Sequence, residues 1–161
     1  MNHSAKDEQL IEQILTSTKT IAMVGVSSIQ KKEPSNNIRR RPSIIVMKYL
    51  QEFGYRVIPV NPLAAGKKIY GETVVAKLEN VTIPIDMVNV FRPSKEAIMI
   101  AKQTVEIGAK ILWLQYGIQN QEAQKIVKSA NVTYIANRCI KQEYQRLFLK
   151  VSPVFPALRT Q

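Results

Sequence analysis

Five short runs of nearly continuous apolar residues, separated by helix-like segments, constrain this chain more than any other feature. They are Thr20 to Val26, Arg56 to Val60, Ile85 to Val90, Lys110 to Leu114 and Val132 to Ala136. A strand that is apolar on both faces must be covered on both faces. Strands alternating with helices in sequence pair in parallel. With right-handed crossovers, the pattern predicts an α/β fold: a Rossmann-like, doubly wound parallel five-stranded sheet with helices on both faces. Ligands of such sheets sit beyond the carboxyl ends of the strands, at the switch point beside strand one.

The helical segments follow their own periodicity. Asp7 to Leu15 carries Leu10, Ile11, Ile14 and Leu15 at helical spacing and is predicted to pack across the sheet edge or end. Pro42 suits the first position of a helix because its missing N–H would have no partner there. Ile44, Ile45, Met47, Tyr49 and Leu50 supply that helix's buried face, and Gly54 its left-handed cap. Pro59 lacks a donor, which places it near the end of strand two. Between Ala64 and Val81 the sequence predicts a loop with a short helical turn near Val74 to Leu78. A helix opening at Pro93-Ser-Lys-Glu96 runs to Ile107 before Gly108, and others span about Asn120 to Ala130 and Gln142 to Leu149. The expected organisation is an N-terminal helix (1–19), one nucleotide-binding-like domain (20–149) and an irregular tail (150–161).

Composition narrows the function. At 161 residues the chain can bury one continuous core. Cys139 is the single cysteine and His3 the single histidine. An internal disulfide and a thiol–metal cluster are therefore excluded, and a Ser-His-Asp arrangement would need His3 to fold back from the terminus. No apolar run approaches the ~18–20 residues that span a bilayer, and the N-terminus lacks a signal-like core. A cytoplasmic protein without a membrane partner is expected. The net charge of +11 invites a nucleic-acid reading, but the cations are scattered and no RNP-like aromatic strand accompanies them.

The sheet topology gathers the candidate ligand residues. Gly25, Val26, Ser27 and Ser28 follow strand one; Val60, Asn61 and Pro62 end strand two; Phe91 and Arg92 end strand three. Gln115, Tyr116 and Gly117 follow strand four, and Arg138 follows strand five. Arg39, Arg40 and Arg41 precede the helix that opens with Pro42 and Ser43. Cations, hydroxyls and backbone N–H groups at a helix start suit a phosphate. Trp113, inside strand four, reads as core, and Tyr116 as a possible stacking contact. Cys139 reads as a small buried hydrophobe or a mixed-disulfide partner, and Asp86 as a strand-start carboxylate.

A nicotinamide dinucleotide would call for G-x-G-x-x-G after strand one and an acid at the end of strand two. Gly25 stands alone and Asn61 takes the acid's place, and no P-loop is present. Instead, six blocks in order resemble the small free-standing CoA-binding proteins, which are similar to the N-terminal CoA-binding domain of the succinyl-CoA synthetase alpha subunit. They are Val24-Gly-Val-Ser-Ser28, Arg41-Pro-Ser43 with Val46-Met-Lys-Tyr-Leu50, Val57-Ile-Pro-Val-Asn-Pro62, Asp86-Met-Val-Asn-Val-Phe-Arg92, Gly108-Ala-Lys-Ile-Leu-Trp-Leu-Gln115 and Asn137-Arg-Cys139. The loop from Ile29 to Arg40 is longer than the family's usual turn.

The resemblance implies that the Gly25–Ser28 turn meets the nucleotide or its pyrophosphate. It places Asn61, Pro62 and Lys67 beside the adenosine, with Phe91, Arg92 and Gln115 to Gly117 along the pantetheine path. The expected ligand is coenzyme A, free or acylated. The expected function is binding without catalysis. An NAD(P)-binding oxidoreductase or redox sensor and a basic RNA-binding module are the alternatives.

Overall fold

The computed structural model describes residues 4–27 and 42–150. Ser28 and Arg39, Arg40 and Arg41 lie outside the described residues, as do the tail residues from 151 onward.

Five parallel strands form the main sheet in the order β2-β1-β5-β6-β7: β1 (Thr20–Val24), β2 (Arg56–Val60), β5 (Met87–Val90), β6 (Ile111–Leu114) and β7 (Thr133–Ile135). All four pairings are parallel. The order reverses direction at β1, so the switch point lies between β1 and β5. That is where a doubly wound sheet leaves a crevice.

Each expected strand is present, trimmed at its ends. β1 stops at Val24 rather than Val26 because Gly25 turns the chain with a φ of +94°. β5 begins at Met87 rather than Ile85 because Asp86 is occupied otherwise. Its Oδ2 accepts hydrogen bonds from the backbone N–H groups of Lys19 (2.9 Å) and Thr20 (3.1 Å), fixing where β1 enters the sheet.

Alternation along the strands divides the core into two layers. Ile21, Met23, Val57, Met87, Ile111 and Trp113 face helices α1 (Ala5–Ser17), α2 (Pro42–Glu52) and α5 (Ile140–Tyr144). Ala22, Ile58, Val60, Val88, Val90, Leu112 and Leu114 face α3 (Ala97–Glu106) and α4 (Gln121–Ser129). Helix α1, expected at the sheet edge or end, thus buries Ile11, Ile14 and Leu15 in the first layer. Its N-terminus is capped by the Ser4 hydroxyl, which accepts from Asp7 N–H at 3.1 Å.

The segment from 64 to 81 differs from expectation. It forms a hairpin, β3 (Lys68–Ile69) with β4 (Glu72–Thr73), and a 3₁₀ turn at Leu78–Asn80 in place of a helical turn at 74–78. Val75 N–H donates to Pro59 O (3.0 Å) and Asn61 N–H to Val75 O (2.9 Å), so this segment covers the open edge of β2. The last helix starts at Ile140, earlier than expected, and winds as a π-helix over Gln145–Leu149.

Candidate functional site

The carboxyl ends of β2, β1 and β5 converge on Gly25. Its N–H donates to Val60 O (3.0 Å), and Phe91 N–H donates to Val24 O (2.8 Å), so the ladder continues one step past each strand. Val26, fully buried, then turns into the core, and its carbonyl accepts from Asn61 Nδ2 at 2.7 Å. The Asn61 Oδ1 accepts from Leu63 N–H at 2.9 Å. Asn61 therefore uses both ends of its amide to tie the turn after β1 to the turn after β2.

Ser27 N–H donates to Ser43 Oγ at 3.1 Å. Ser43 is buried at the second position of α2, and Pro42 occupies the first. The hydroxyl expected as a ligand donor thus also joins the Gly25 turn to the helix start, placing that turn beside the α2 N-terminus. The first N–H groups of α2, which have no partner within the helix, thus stand beside the turn, a place that favours an anion.

The Arg92 stem lies against Gly25: a methyl group on Gly25 would stand 2.8 Å from Arg92 Cδ and 3.1 Å from the Phe91 carbonyl oxygen. Its guanidinium forks onto Glu96, with Nη2–Oε2 at 2.8 Å and Nε–Oε1 at 3.2 Å. Phe91 is half-buried against the first core layer.

At the far side of the site, Gln115 is buried at the end of β6, and its Oε1 has no hydrogen-bond partner among the described residues. Gly117 N–H donates to Asn137 Oδ1 (2.7 Å), and Trp113 Nε1–H donates to Arg138 O (2.8 Å), so the loops after β6 and β7 are joined. Trp113 is core, as expected. Tyr116 is exposed. The Arg138 guanidinium meets Glu143 at 3.1 Å and Asp7 at 3.9 Å, which turns it toward α5 and α1. Arg146 bridges Glu143 (2.7 Å) and Glu8 (2.6 Å) in the same network. Burial pulls the Arg146 pKa down, but those two carboxylates more than offset it and hold it above its ordinary value.

Lys67 is exposed beside the 68–73 hairpin and does not line the groove that opens next to Gly25. That groove, of about 720 Å³, runs from Pro62 and Leu63 across Val24 and Gly25 to the flank of α3. Lys77, Lys95, Glu96, Met99 and Gln103 line it and were not singled out in the sequence. Except for Lys77, which precedes the 3₁₀ turn at Leu78, their signal was positional: a helix opening right after the switch-point strand places its first turns beside the site. Among the described residues there is no cluster of His, Cys, Asp and Glu able to hold a metal ion. No described helix is long and apolar enough to cross a membrane.

Comparison with known proteins agrees with this fold. Protein YneT of Bacillus subtilis (strain 168) is 37% identical over 141 residues, covering 88% of this chain and 95% of YneT. The Thermus thermophilus protein cell-free ID.343 superposes with a TM-score of 0.78 at 34% identity, covering 92% of this chain and all (100%) of that one. A hypothetical protein from Pyrococcus horikoshii OT3 gives 0.77 at 32% identity, covering 91% and 99%. The CoA binding domain matches residues 19–145, from the residue before β1 into the last helix, and the chain belongs to that family.

Proposed function

We propose that this chain binds coenzyme A, free or acylated, across the carboxyl ends of β1, β2, β5 and β6, and that it does so without catalysing a reaction. The observation that carries the reading is the Gly25 turn, which is held at the switch point against the start of α2 in a chain of the CoA binding domain family. Glycine at position 25 lets the Arg92 stem pack against the turn, and CoA brings a pyrophosphate suited to the turn and the start of α2 beside it.

The other end of the site supports the same ligand. Gln115 Oε1 is a buried acceptor without a partner among the described residues, and a pantetheine arm offers amide N–H donors. Free CoA and its thioesters share the nucleotide and this arm, so both fit the same residues. The reading without catalysis takes its support from the residue inventory: with His3 the single histidine and Cys139 the single cysteine, no Ser–His or Cys–His pair lies among the described residues.

Titration calorimetry with CoA, 3′-dephospho-CoA, NAD and NADP at near-physiological salt tests the proposal. Saturable CoA binding that exceeds NAD(P) binding is the expected result. A preference for NAD(P), or no binding of CoA, would overturn it. Competition by RNA that collapses with added salt would favour the basic-surface reading instead.

A further inference from the structure

Cys139 stands where the loops after β6 and β7 meet. The chain leaving β7 is drawn across the end of β6: Arg138 N–H donates to Leu114 O (3.4 Å), and Arg138 O accepts from Trp113 Nε1–H (2.8 Å). Cys139 follows directly, a free and partly buried thiol that packs with Phe91 against the first core layer. Its carbonyl accepts from Glu143 N–H at 3.0 Å, and the Arg138 guanidinium is held by the Glu143 carboxylate at 3.1 Å. The backbone that carries the thiol is therefore fixed on both sides.

Two buried acceptors lie on the same face of the sheet. Gln115 N–H donates to Val90 O (3.1 Å), which carries the β6 ladder one step past Leu114 and turns the Gln115 side chain to the face of Trp113. Asn89 falls between Met87 and Phe91 of that face, in register with Trp113. Gln115 is 7% exposed and Asn89 is fully buried, and among the described residues neither Gln115 Oε1 nor Asn89 Oδ1 has a hydrogen-bond partner. A buried acceptor left open calls for a donor. An acyl tail supplies none, whereas a chain of secondary amides supplies an N–H at each link.

The distances fit a pantetheine arm. Gly25 follows β1, and Cys139 lies two to three strand spacings from it across the sheet, about 10–14 Å at ~4.8 Å each. The arm is as long as roughly four residues of extended chain, about 14 Å. With the pyrophosphate at the Gly25 turn and an amide at Gln115, the ligand sulfur arrives at Cys139.

We infer that Cys139 is a thiol-exchange site, which takes CoA from a CoA disulfide and holds it as a mixed disulfide. The inference rests on the CoA reading for its choice of ligand. The Cys139 thiolate attacks one sulfur of the CoA disulfide and that S–S bond breaks. A bond forms between Cys139 Sγ and the bound CoA sulfur, and the second CoA leaves as a thiolate that takes up the proton Cys139 gave up. The disulfide passes from ligand to protein, so no further oxidant or reductant enters. Each exchange consumes a Cys139, which makes it stoichiometric rather than catalytic. Cys139 is the single cysteine of the chain, so no resolving thiol displaces the CoA. The mixed disulfide persists until an external thiol reduces it.

The test follows intact mass under non-reducing conditions after CoA disulfide or glutathione disulfide is added to the reduced wild type, to Gln115→Met and to the urea-unfolded chain. The wild type should gain the mass of a single CoA moiety and lose it with dithiothreitol. It should react with CoA disulfide roughly ten-fold or more faster than with glutathione disulfide, and unfolding should erase that preference. Gln115→Met is similar in size but lacks the acceptor. It should slow the reaction with CoA disulfide by about ten-fold and leave that with glutathione disulfide unchanged, which also reports that the fold persists. Equal rates for the two disulfides in the folded protein, or no reaction at Cys139, would overturn the inference. Calorimetry of the reduced protein with CoA separates the two readings. CoA binding without preferential exchange leaves the CoA reading standing and removes the Cys139 site. Preferential exchange without measurable CoA binding keeps the site and overturns non-covalent binding. If neither is seen, both fall.

Discussion

The side chain of Arg92 leaves no room for anything but glycine at position 25. The Gly25 φ of +94° is a left-handed conformation, and a Cβ there would meet Arg92 Cδ at 2.8 Å and Cγ at 3.1 Å. Gly25→Ala therefore combines a backbone penalty of about 1–2 kcal/mol with an overlap worth roughly 1–3 kcal/mol. We expect a loss of about 2–5 kcal/mol in urea unfolding, by the sum of those two ranges. Adding Arg92→Ala should recover the side-chain part only, since the Phe91 carbonyl oxygen remains 3.1 Å away. A double-mutant cycle showing no coupling between the two positions would refute the contact.

Asn61 offers a sharper substitution. Its Nδ2 donates to Val26 O and its Oδ1 accepts from Leu63 N–H, so Asn61→Ala strands two backbone groups and should cost about 1–3 kcal/mol. Asn61→Asp keeps the Leu63 contact but faces Val26 O with a second acceptor. It should therefore be at least as destabilising as alanine despite its near-identical shape. The same position is where a nicotinamide-dinucleotide enzyme would carry an acid, so the aspartate variant also probes that alternative. An Asn61→Asp protein of wild-type stability would mean that the amide nitrogen does not hold the Val26 carbonyl.

The same clamp shows what the sequence could and could not reveal. The five strands were readable because their apolar runs are short, continuous and separated by helices, and the switch point followed from topology alone. Strand ends were less readable. Gly25 turns the chain one residue before the apolar run ends, and Asp86 is drawn to the N–H groups of Lys19 and Thr20, 67 and 66 residues away in sequence. The hairpin Lys68–Thr73 escaped notice because its two-residue strands are stabilised from outside, through Val75 and Pro59. In the site, Gly25, Asn61 and Arg92 were legible from the strand ends. Their mutual contacts were not, nor was the diversion of Arg138 to Glu143 and Asp7. The groove wall on α3 carries no motif, only a helix periodicity that presents Met99 and Gln103 on one face.

Glu143 anchors the network that took Arg138. It is 6% exposed and accepts from Arg138 Nη1 at 3.1 Å and from Arg146 Nη2 at 2.7 Å, while Arg146 also reaches Glu8 on α1. Glu143→Gln removes the charge that two guanidinium groups share and leaves them facing each other. A loss of about 2–3 kcal/mol is expected, less than a fully buried pair because both arginines keep partial solvent access. Thermal unfolding should show a lower Tm for Glu143→Gln. An unchanged Tm would mean that the arginines find equivalent partners in water.

Tyr55 gives the fold a distinct alkaline limit. It is 8% exposed, its hydroxyl donates to Leu15 O at 2.5 Å, and burial first, with Tyr144 second, pushes its pKa up to about 12. An unfolded tyrosine ionises near 10. Below that pH both states keep the proton and the full contribution is present. Between about 10 and 12 the unfolded chain releases its proton while the folded chain does not, so stability falls as pH rises. Tyr55→Phe should cost about 1–2 kcal/mol near neutral pH through the lost hydrogen bond to Leu15. Urea unfolding of both proteins from pH 8 to 11 should show the gap closing above pH 10, because the phenylalanine variant has no proton to lose there. A gap that stays constant across that range would show that Tyr55 ionises alike in the folded and unfolded chains.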